Sequence, residues 1–596
     1  MSNSRLCRYY SRLATLGTKK ELTTTLAEVA EVLFTTPRHS RTLLKEMQQH
    51  NWLTWQPKVG RNQRSTLSLH YQEEEMQNKV AEVLISEGKY EQAIDLLNGD
   101  QDRFSSLLQK TSGIKRREGQ LHIQLTYQRN FSSLLPHHPL RNSERFLVRQ
   151  IYSCLVSCNK HGTLTPQLAH HWATNSDASE WRFYLRPNLK FHNNEAITTK
   201  QIVKLFTSLK KLPEYQIELS HLKNIRSKGH CVIFELKSPD LSFAGLLSDL
   251  RYSIQPDIQV NTLPNLVTGS GLFRVIEHSG KRLRLQAFDD YFGLRALTDT
   301  VTIWKLEEKI VEHEYNGTTQ IKAVLSNHNS SVCSHYLSII EENNSDTDLS
   351  DKKLPQGSAQ FSRIEDGCLF LLFNLSNKDM IFSQTQRRYL SQLLSGNEIL
   401  KQLDTTENQL GAIAAHNLLP GWSKIHKTST QPVELPENIN IAVYDHPVLL
   451  HCANAISQQL FSLGIQSFIH IYSYSELHQK SHQKQLSEEI ILSSVNLDDN
   501  RPTSAFRWFL SNSVLRQGLS DKAEHWLSNE LTRIRQNEPI EKYLTELESL
   551  SSTMIYENWI SPLFHHRQTL QFEGILEDVS ITDWGWPAFQ DVWAVD

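Results

Sequence analysis

Between Thr36 and Leu69 the chain passes through an ordered series that few folds can use. A polar cap and a proline (Thr36, Pro37) open an amphipathic stretch to about His50. A short strand (Trp52–Trp55), a basic glycine-containing loop (Pro57–Arg64) and a return strand (Ser65–Leu69) follow. Threonine before a helix-opening proline is a strong start signal, because the side chain satisfies an orphan N–H and proline at the first helical position loses nothing. Upstream, Leu6, Tyr9, Tyr10, Leu13 and Leu16, then Leu26, Val29, Ala30 and Leu33 behind Thr25, recur at helical spacing. Three helices followed by a two-stranded wing form a winged helix-turn-helix.

At 100° per residue, Ser40, Leu43, Leu44 and Met47 share one side of the third helix, while Arg38, Arg41, Thr42, Lys45 and Gln49 share the other. The first side packs and the second is free to enter a major groove, where Arg pairs with guanine and Gln or Thr contacts adenine or a thymine methyl. His39 lies beside that face. Lys58, Arg61, Asn62 and Arg64 belong to the wing and are placed for backbone phosphates. Charge is segregated accordingly: residues 1–70 carry 11 Lys and Arg against 4 Asp and Glu, and the remainder carries 51 against 61. A basic front end points to a polyanion, here double-stranded DNA.

At 596 residues the chain exceeds a single core. Residues 73–110 read as a helical hairpin. From Gln120 onward, short β-like runs (Leu121–Tyr127, Val232–Leu236, Leu283–Ala287, Val301–Leu306, Leu369–Asn374, Ile439–Tyr444, Ile465–Ile471) alternate with helical patterns such as Ala453–Leu463. No Pro/Gly/Ser linker divides this stretch, which predicts lobes crossed more than once by the chain; the polar run Glu341–Gly357 is expected as a surface loop. No window is apolar enough to span a membrane, and Met1–Gly17 lacks the apolar core of a signal peptide, so a cytoplasmic protein without a membrane partner is expected.

Seven scattered cysteines fit a reducing compartment. Cys154 and Cys158 are expected one turn apart on a helix face as small buried side chains rather than metal ligands. The adjacent pairs His137/His138, His170/His171 and His565/His566 diverge too widely to chelate one ion. No metal and no cofactor is expected. The sequence holds no GxSxG, HExxH, Walker A or GxGxxG motif in a suitable setting, so an enzyme is not expected.

The run WRFYLRPNLKFHNNEAITTKQI (Trp181–Ile202), with LTPQLAHHW (Leu164–Trp172), GSGLFR (Gly269–Arg274) and AFDDYFGLRA (Ala287–Ala296), resembles the oligopeptide and dipeptide type of extracellular solute-binding proteins. Asn194 stands where that family has a turn glycine, which Asn can replace at positive φ. The pairing of this unit with a winged helix, together with RTLLKEMQQHNWLTWQPKVGR (Arg41–Arg61), LLPHHPLRNSERFLVRQIYS (Leu134–Ser153) and HNLLPGW (His416–Trp422), resembles the SgrR family of bacterial transcriptional regulators. The resemblance implies a multidomain α/β chain with three parts. These are a winged helix-turn-helix over 1–72, a helical connector over 73–115, and a two-lobed periplasmic-binding-protein-like sensor (type II, solute-binding family 5) over 116–596. It implies a regulator of sugar-phosphate stress whose effector is a small molecule, a phosphosugar. Arg149, Tyr152, Asn374, Arg387 and Trp422 are the candidate ligand residues, with Arg182 as a further cation. The alternative is a solute-binding protein of an oligopeptide-type import system.

Overall fold

The structure, a computed structural model, describes residues 3–58, 64–86, 89–100, 103–104, 107, 114–117, 120–127, 130–305, 310–315, 318–323, 358–376, 382–403, 412–425, 430–573, 576–577, 580 and 582–594. The run Glu341–Gly357 lies outside them.

The front unit is built from α1 (Asn3–Ala14), β1 (Glu21–Thr24), α2 (Leu26–Val32), α3 (Pro37–Gln49), β2 (Leu53–Gln56) and β3 (Ser65–Leu69), the strands forming an antiparallel sheet in the order β1-β3-β2. Both expected caps are present. Thr25 forms a capping box with Glu28, and the Thr36 hydroxyl accepts from the His39 N–H at 3.3 Å with Pro37 opening α3. Between α2 and α3 the chain turns at Phe34, which takes a positive φ of 51°, and Arg12 braces that turn by donating to the Leu33 carbonyl at 3.0 Å. The strand β1 carries no hydrophobic alternation and was not foreseen; it is recruited by pairing with β3.

The expected hairpin is α4 (Glu73–Ser86) and α5 (Tyr90–Leu96). Its Met76, Val80, Leu84, Ala93 and Leu97 lie in the same core as Leu6, Tyr10, Leu43, Met47 and Leu67. Tyr10 secures the join: its hydroxyl donates to the Tyr71 carbonyl at 2.8 Å and accepts from the Tyr71 N–H at 2.9 Å. The hairpin is thus packed into the winged helix rather than strung out behind it.

Behind the front unit stand two lobes. The first holds a five-stranded sheet in the order 273–278, 282–287, 300–305, 120–127, 114–117 and a four-stranded antiparallel sheet (222–228, 231–236, 180–185, 169–174), each with its own apolar core. The second is a mixed sheet in the order 358–364, 560–573, 367–373, 490–496, 438–444, 466–472, covered by helices including Pro447–Ser462 and Asp521–Asn537. The first lobe's sheet strands end at Lys305, those of the second lobe begin at Ser358, and the end of the chain returns to the first lobe, where Trp584, Trp586 and Phe589 pack against Phe146 and Val592 joins the same core. All seven expected strands are present, as is the double crossing.

Two motifs of the first lobe meet in space. The His192 Nε2 donates to the Gly271 carbonyl at 3.0 Å, and the Gly269 N–H donates to His192 Nδ1 at 3.2 Å. A Cβ on Gly269 or Gly271 would run into the backbone of Ile151 or Gln150, which is why this crossing of chains is glycine-rich. Asn194 takes φ 68°, as its place in the family turn requires. Cys154 and Cys158 correct one expectation: the helix Asn142–Ile151 ends before them, and Cys158 closes the short strand Val156–Cys158. Both thiols are buried, and burial pushes Cys158 up to about 12. Tyr152 ends the helix in extended conformation, so the local period changes from helix to strand.

Candidate DNA-reading face and lobe cleft

On α3 the buried side is Ser40, Leu43, Leu44 and Met47, and the exposed side presents Arg38, Arg41, Thr42, Lys45 and Gln49 in one stripe. Among the described residues, Arg38, Arg41 and Lys45 form no ion pair. Thr42 donates to the Arg38 carbonyl at 3.4 Å, and Gln49 is exposed. His39 is only half exposed, its ring edge-on to Tyr9 with centroids 6.2 Å apart, so it flanks the stripe rather than heading it. On the wing, Lys58 is exposed with its N–H donating to the Ser65 hydroxyl at 3.2 Å, and Arg64 contacts Glu28 at 3.4 Å. Arg61 and Asn62 lie outside the described residues. The arrangement sets a cationic helix face beside a cationic loop, which is the geometry that a duplex accepts in adjacent major groove and backbone.

The lobes meet across a field of charge pairs. Arg141 reaches Asp445 at 2.9 Å, Arg145 reaches Asp498 at 3.3 Å, Arg149 reaches Asp499 at 2.9 Å, and Arg507 reaches Asp249 at 2.7 Å. Glu218, fully buried, accepts from Arg251 at 2.7 Å, the Tyr252 hydroxyl at 2.6 Å and Ser511 of the other lobe at 2.6 Å. Burial opposes the charge of Asp249, yet Arg507 and Arg149 hold its carboxyl below the usual range; at Asp499 burial prevails and raises it. Beside this field opens a cavity of about 670 Å³ between the lobes. Arg363 and Arg501 each contact both Asp366 and Asp583 in its wall, forming a closed ring of alternating charge, and Lys160, Asp499, Thr582, Gln590 and Asp591 add to the polar lining.

The five candidate ligand residues are not brought together, and none of them lines this cavity. Arg149 lies in the lobe interface, tied to Asp499 and to the Ser248 carbonyl at 3.0 Å. Tyr152 is buried in the first lobe's core. Asn374 and Arg387 are both bonded to backbone. Asn374 Nδ2 donates to the carbonyls of Leu486 and Glu488, and Arg387 donates to Phe382, Glu557 and Asn558, closing the carboxy end of the helix Tyr543–Tyr556. Trp422 packs on the second lobe's core, and Arg182 sits on the outer sheet beside Glu180. The cavity's ring was invisible in sequence: positions 366, 501 and 583 have no spacing in common and are joined only by the fold.

The amino-terminal part, residues 5–119, matches the family described as sugar transport-related sRNA regulator N-term, and residues 163–380 match bacterial extracellular solute-binding proteins, family 5 middle. An HTH-type transcriptional regulator SgrR of Yersinia enterocolitica is 30% identical over 612 aligned residues, covering all of this chain and 99% of its own. The chain belongs to the SgrR family. A second relative of the same name, from Photorhabdus laumondii, is 29% identical with the same coverage. Among solved structures, the murein tripeptide binding protein MppA of Escherichia coli aligns over 80% of this chain and 98% of its own at TM-score 0.60 and 14% identity. OppA of Haemophilus influenzae, in complex with RPPGFSPFR, aligns over 81% and 100% at TM-score 0.62 and 12% identity. These two show the two-lobed fold. Full-length similarity to the SgrR regulators, front unit included, favours regulation over the import reading. No described helix is long and apolar enough to cross a membrane.

Proposed function

We propose that this member of the SgrR family is a cytoplasmic regulator that grips promoter DNA through α3 and the wing and senses a small molecule between its lobes. The observation that carries the reading is the stripe Arg38, Arg41, Thr42, Lys45 and Gln49, exposed on a helix whose opposite side is buried. The wing residues Lys58, Arg61, Asn62 and Arg64 take the backbone, and His39 supports the stripe from its flank. The front unit works as residues 1–72 with the helical connector of 73–115 packed against it, and residues 116–596 sense.

Anisotropy titration of the intact chain on its own upstream DNA, at several salt concentrations, tests this. Arg38→Ala, Arg41→Ala and Lys45→Ala together lower affinity and reduce the slope of log K against log salt by about 2–3, at about 0.9 per lost phosphate contact. A salt-independent affinity, unchanged in the triple variant, refutes the proposal.

The effector is a phosphosugar in this reading, supported by family membership and by the guanidinium groups around the cavity. Because Arg363 and Arg501 already hold carboxylates, a phosphate must take the place of Asp366 or Asp583 in their ring. Calorimetry of the intact chain against hexose phosphates, free hexoses and short peptides decides the class. Heat from peptides alone rejects the phosphosugar.

A further inference from the structure

The first lobe's five-stranded sheet has two faces of unlike chemistry. Along its last strand, Thr300–Lys305, Val301 and Ile303 enter the lobe's own core, and on the neighbouring strand Leu283 and Leu285 do the same. By the period of two, Arg282, Arg284, Thr302 and Trp304 belong to the outer face. Of these four, Trp304 alone is apolar. Trp304 is 3% exposed, and what buries it is the front unit: Tyr90 at a centroid distance of 4.8 Å and Phe104 at 5.4 Å, both edge-on. Its ring joins the apolar core of the winged helix and hairpin rather than that of its own lobe. Arg282, its cross-strand neighbour, lies over the ring at 5.3 Å and reaches Glu91 of α5 at 3.4 Å. The indole N–H has no acceptor among the described residues, so the side chain is held here by packing.

The position on the chain gives this contact its meaning. Lys305 follows directly and ends the first lobe's sheet, and the next strand in the second lobe's sheet is Ser358–Ile364, so Trp304 stands on the last described strand of the first lobe before the second begins. We propose that Trp304 is the positioning residue that couples the sensor to the DNA reader. It plugs the first lobe's strand Thr300–Lys305 into the core of the front unit, so that a change in lobe arrangement alters the pose of the winged helix. This rests on the regulator reading above and adds the route of the signal. An aromatic wedge with an ion pair at its rim suits such a role, because it transmits orientation from one unit to the other.

The test uses the full chain with Trp304→Ala and Trp304→Phe, and with Tyr90→Ala as a second way to empty the contact without altering the lobe. Hydrogen exchange is followed on peptides covering 80–97 and 37–49, and DNA affinity is measured with and without glucose 6-phosphate. In Trp304→Ala and Tyr90→Ala, exchange in 80–97 rises at least tenfold, 37–49 stays at the wild-type rate, and basal DNA affinity stays within twofold while its response to glucose 6-phosphate is lost. Trp304→Phe retains both the protection and the response. Wild-type exchange of 80–97 in the two alanine variants, or a full response in them, overturns the proposal. If glucose 6-phosphate leaves the wild-type affinity unchanged, the phosphosugar reading fails on its own, and the exchange experiment still decides whether Trp304 is the joint.

Discussion

The front unit and the lobe interface use the same side chains in opposite ways. On α3, Arg38, Arg41 and Lys45 are exposed and form no ion pair among the described residues. Between the lobes, Arg145, Arg149, Arg251 and Arg507 are largely buried and each meets a carboxylate. An exposed cation is well solvated and costs the fold almost nothing, so it remains available to a phosphate. A buried cation without its partner is intolerable. Affinity for DNA and stability of the clamshell should therefore respond to different arginines.

Breaking a buried pair has the largest expected effect. Asp249 is 1% exposed and holds Arg507 across the lobe interface. Asp249→Ala should destabilise the two-lobed unit by about 3 kcal/mol, read as a lower urea midpoint of the intact chain, because it leaves the largely buried guanidinium only the more distant Asp498, at 3.7 Å. Replacing both partners with apolar residues, Asp249→Leu with Arg507→Met, should recover most of that loss. If the single and double variants were equally unstable, the charges would not be acting as a pair.

Acid sharpens the contrast further. Burial lowers His192 from its ordinary value to about 4, with the Gly271 carbonyl opposing and Arg274 adding to the fall, and the Gly269 N–H occupies Nδ1 only while the ring is neutral. Unfolding frees this histidine to protonate near pH 6.5, so the unfolded state binds the extra proton between about pH 6.5 and 4. The contribution of neutral His192 to stability is complete above that window and is lost as pH falls through it, at about 1.4 kcal/mol per pH unit. His137, His278 and His478, also lowered to about 4 chiefly by burial, add slopes of the same sign. In His192→Gln, stability measured against pH should lose one histidine's share of the slope; an unchanged slope would assign the acid sensitivity elsewhere.

On the open side of the comparison, Lys45→Ala removes one exposed charge. It should leave thermal stability within about 0.5 kcal/mol of wild type and reduce the salt slope of DNA binding by about 0.9. The converse result, lost stability with unchanged binding, would mean that the stripe is structural.

The sequence revealed the front unit almost completely, since its signals are local: Thr25, Thr36 and Pro37 mark helix starts, and the α3 stripe follows from 3.6-residue geometry alone. It also revealed the family motifs of the first lobe, whose meeting at His192, Gly269 and Gly271 no spacing could announce. The ligand side is harder to read from sequence for a physical reason. Arg387 and Asn374 look like recognition groups, but buried backbone carbonyls at a helix end or strand crossing demand donors just as a ligand does, and a sequence cannot tell the two demands apart. Trp304 was hidden among β-branched neighbours in TVTIWK, where only its alternation with Ile303 shows that it points away from its own core.

The smallest effect concerns the one described wing cation that does have a partner. Arg64 meets Glu28 at 3.4 Å, and Glu28 also closes the capping box of α2, accepting from the Thr25 N–H at 3.0 Å and the Thr24 hydroxyl at 2.9 Å. Those hydrogen bonds hold the Glu28 carboxyl below its usual range, backbone first and then Thr24, with Arg64 contributing last. The carboxylate's main task is therefore to cap the helix, and its hold on Arg64 is incidental and solvent-screened. Glutamine serves the same capping position, so Glu28→Gln should keep α2 intact and release Arg64 to phosphate, raising DNA affinity at low salt by roughly twofold, as expected for one exposed ion pair. The gain should vanish when Arg64 is also Ala, and fade as salt rises. If Glu28→Gln weakened binding instead, the Arg64–Glu28 contact would be holding the wing in its DNA-ready pose, and Arg64 would move from the open cations to the paired ones.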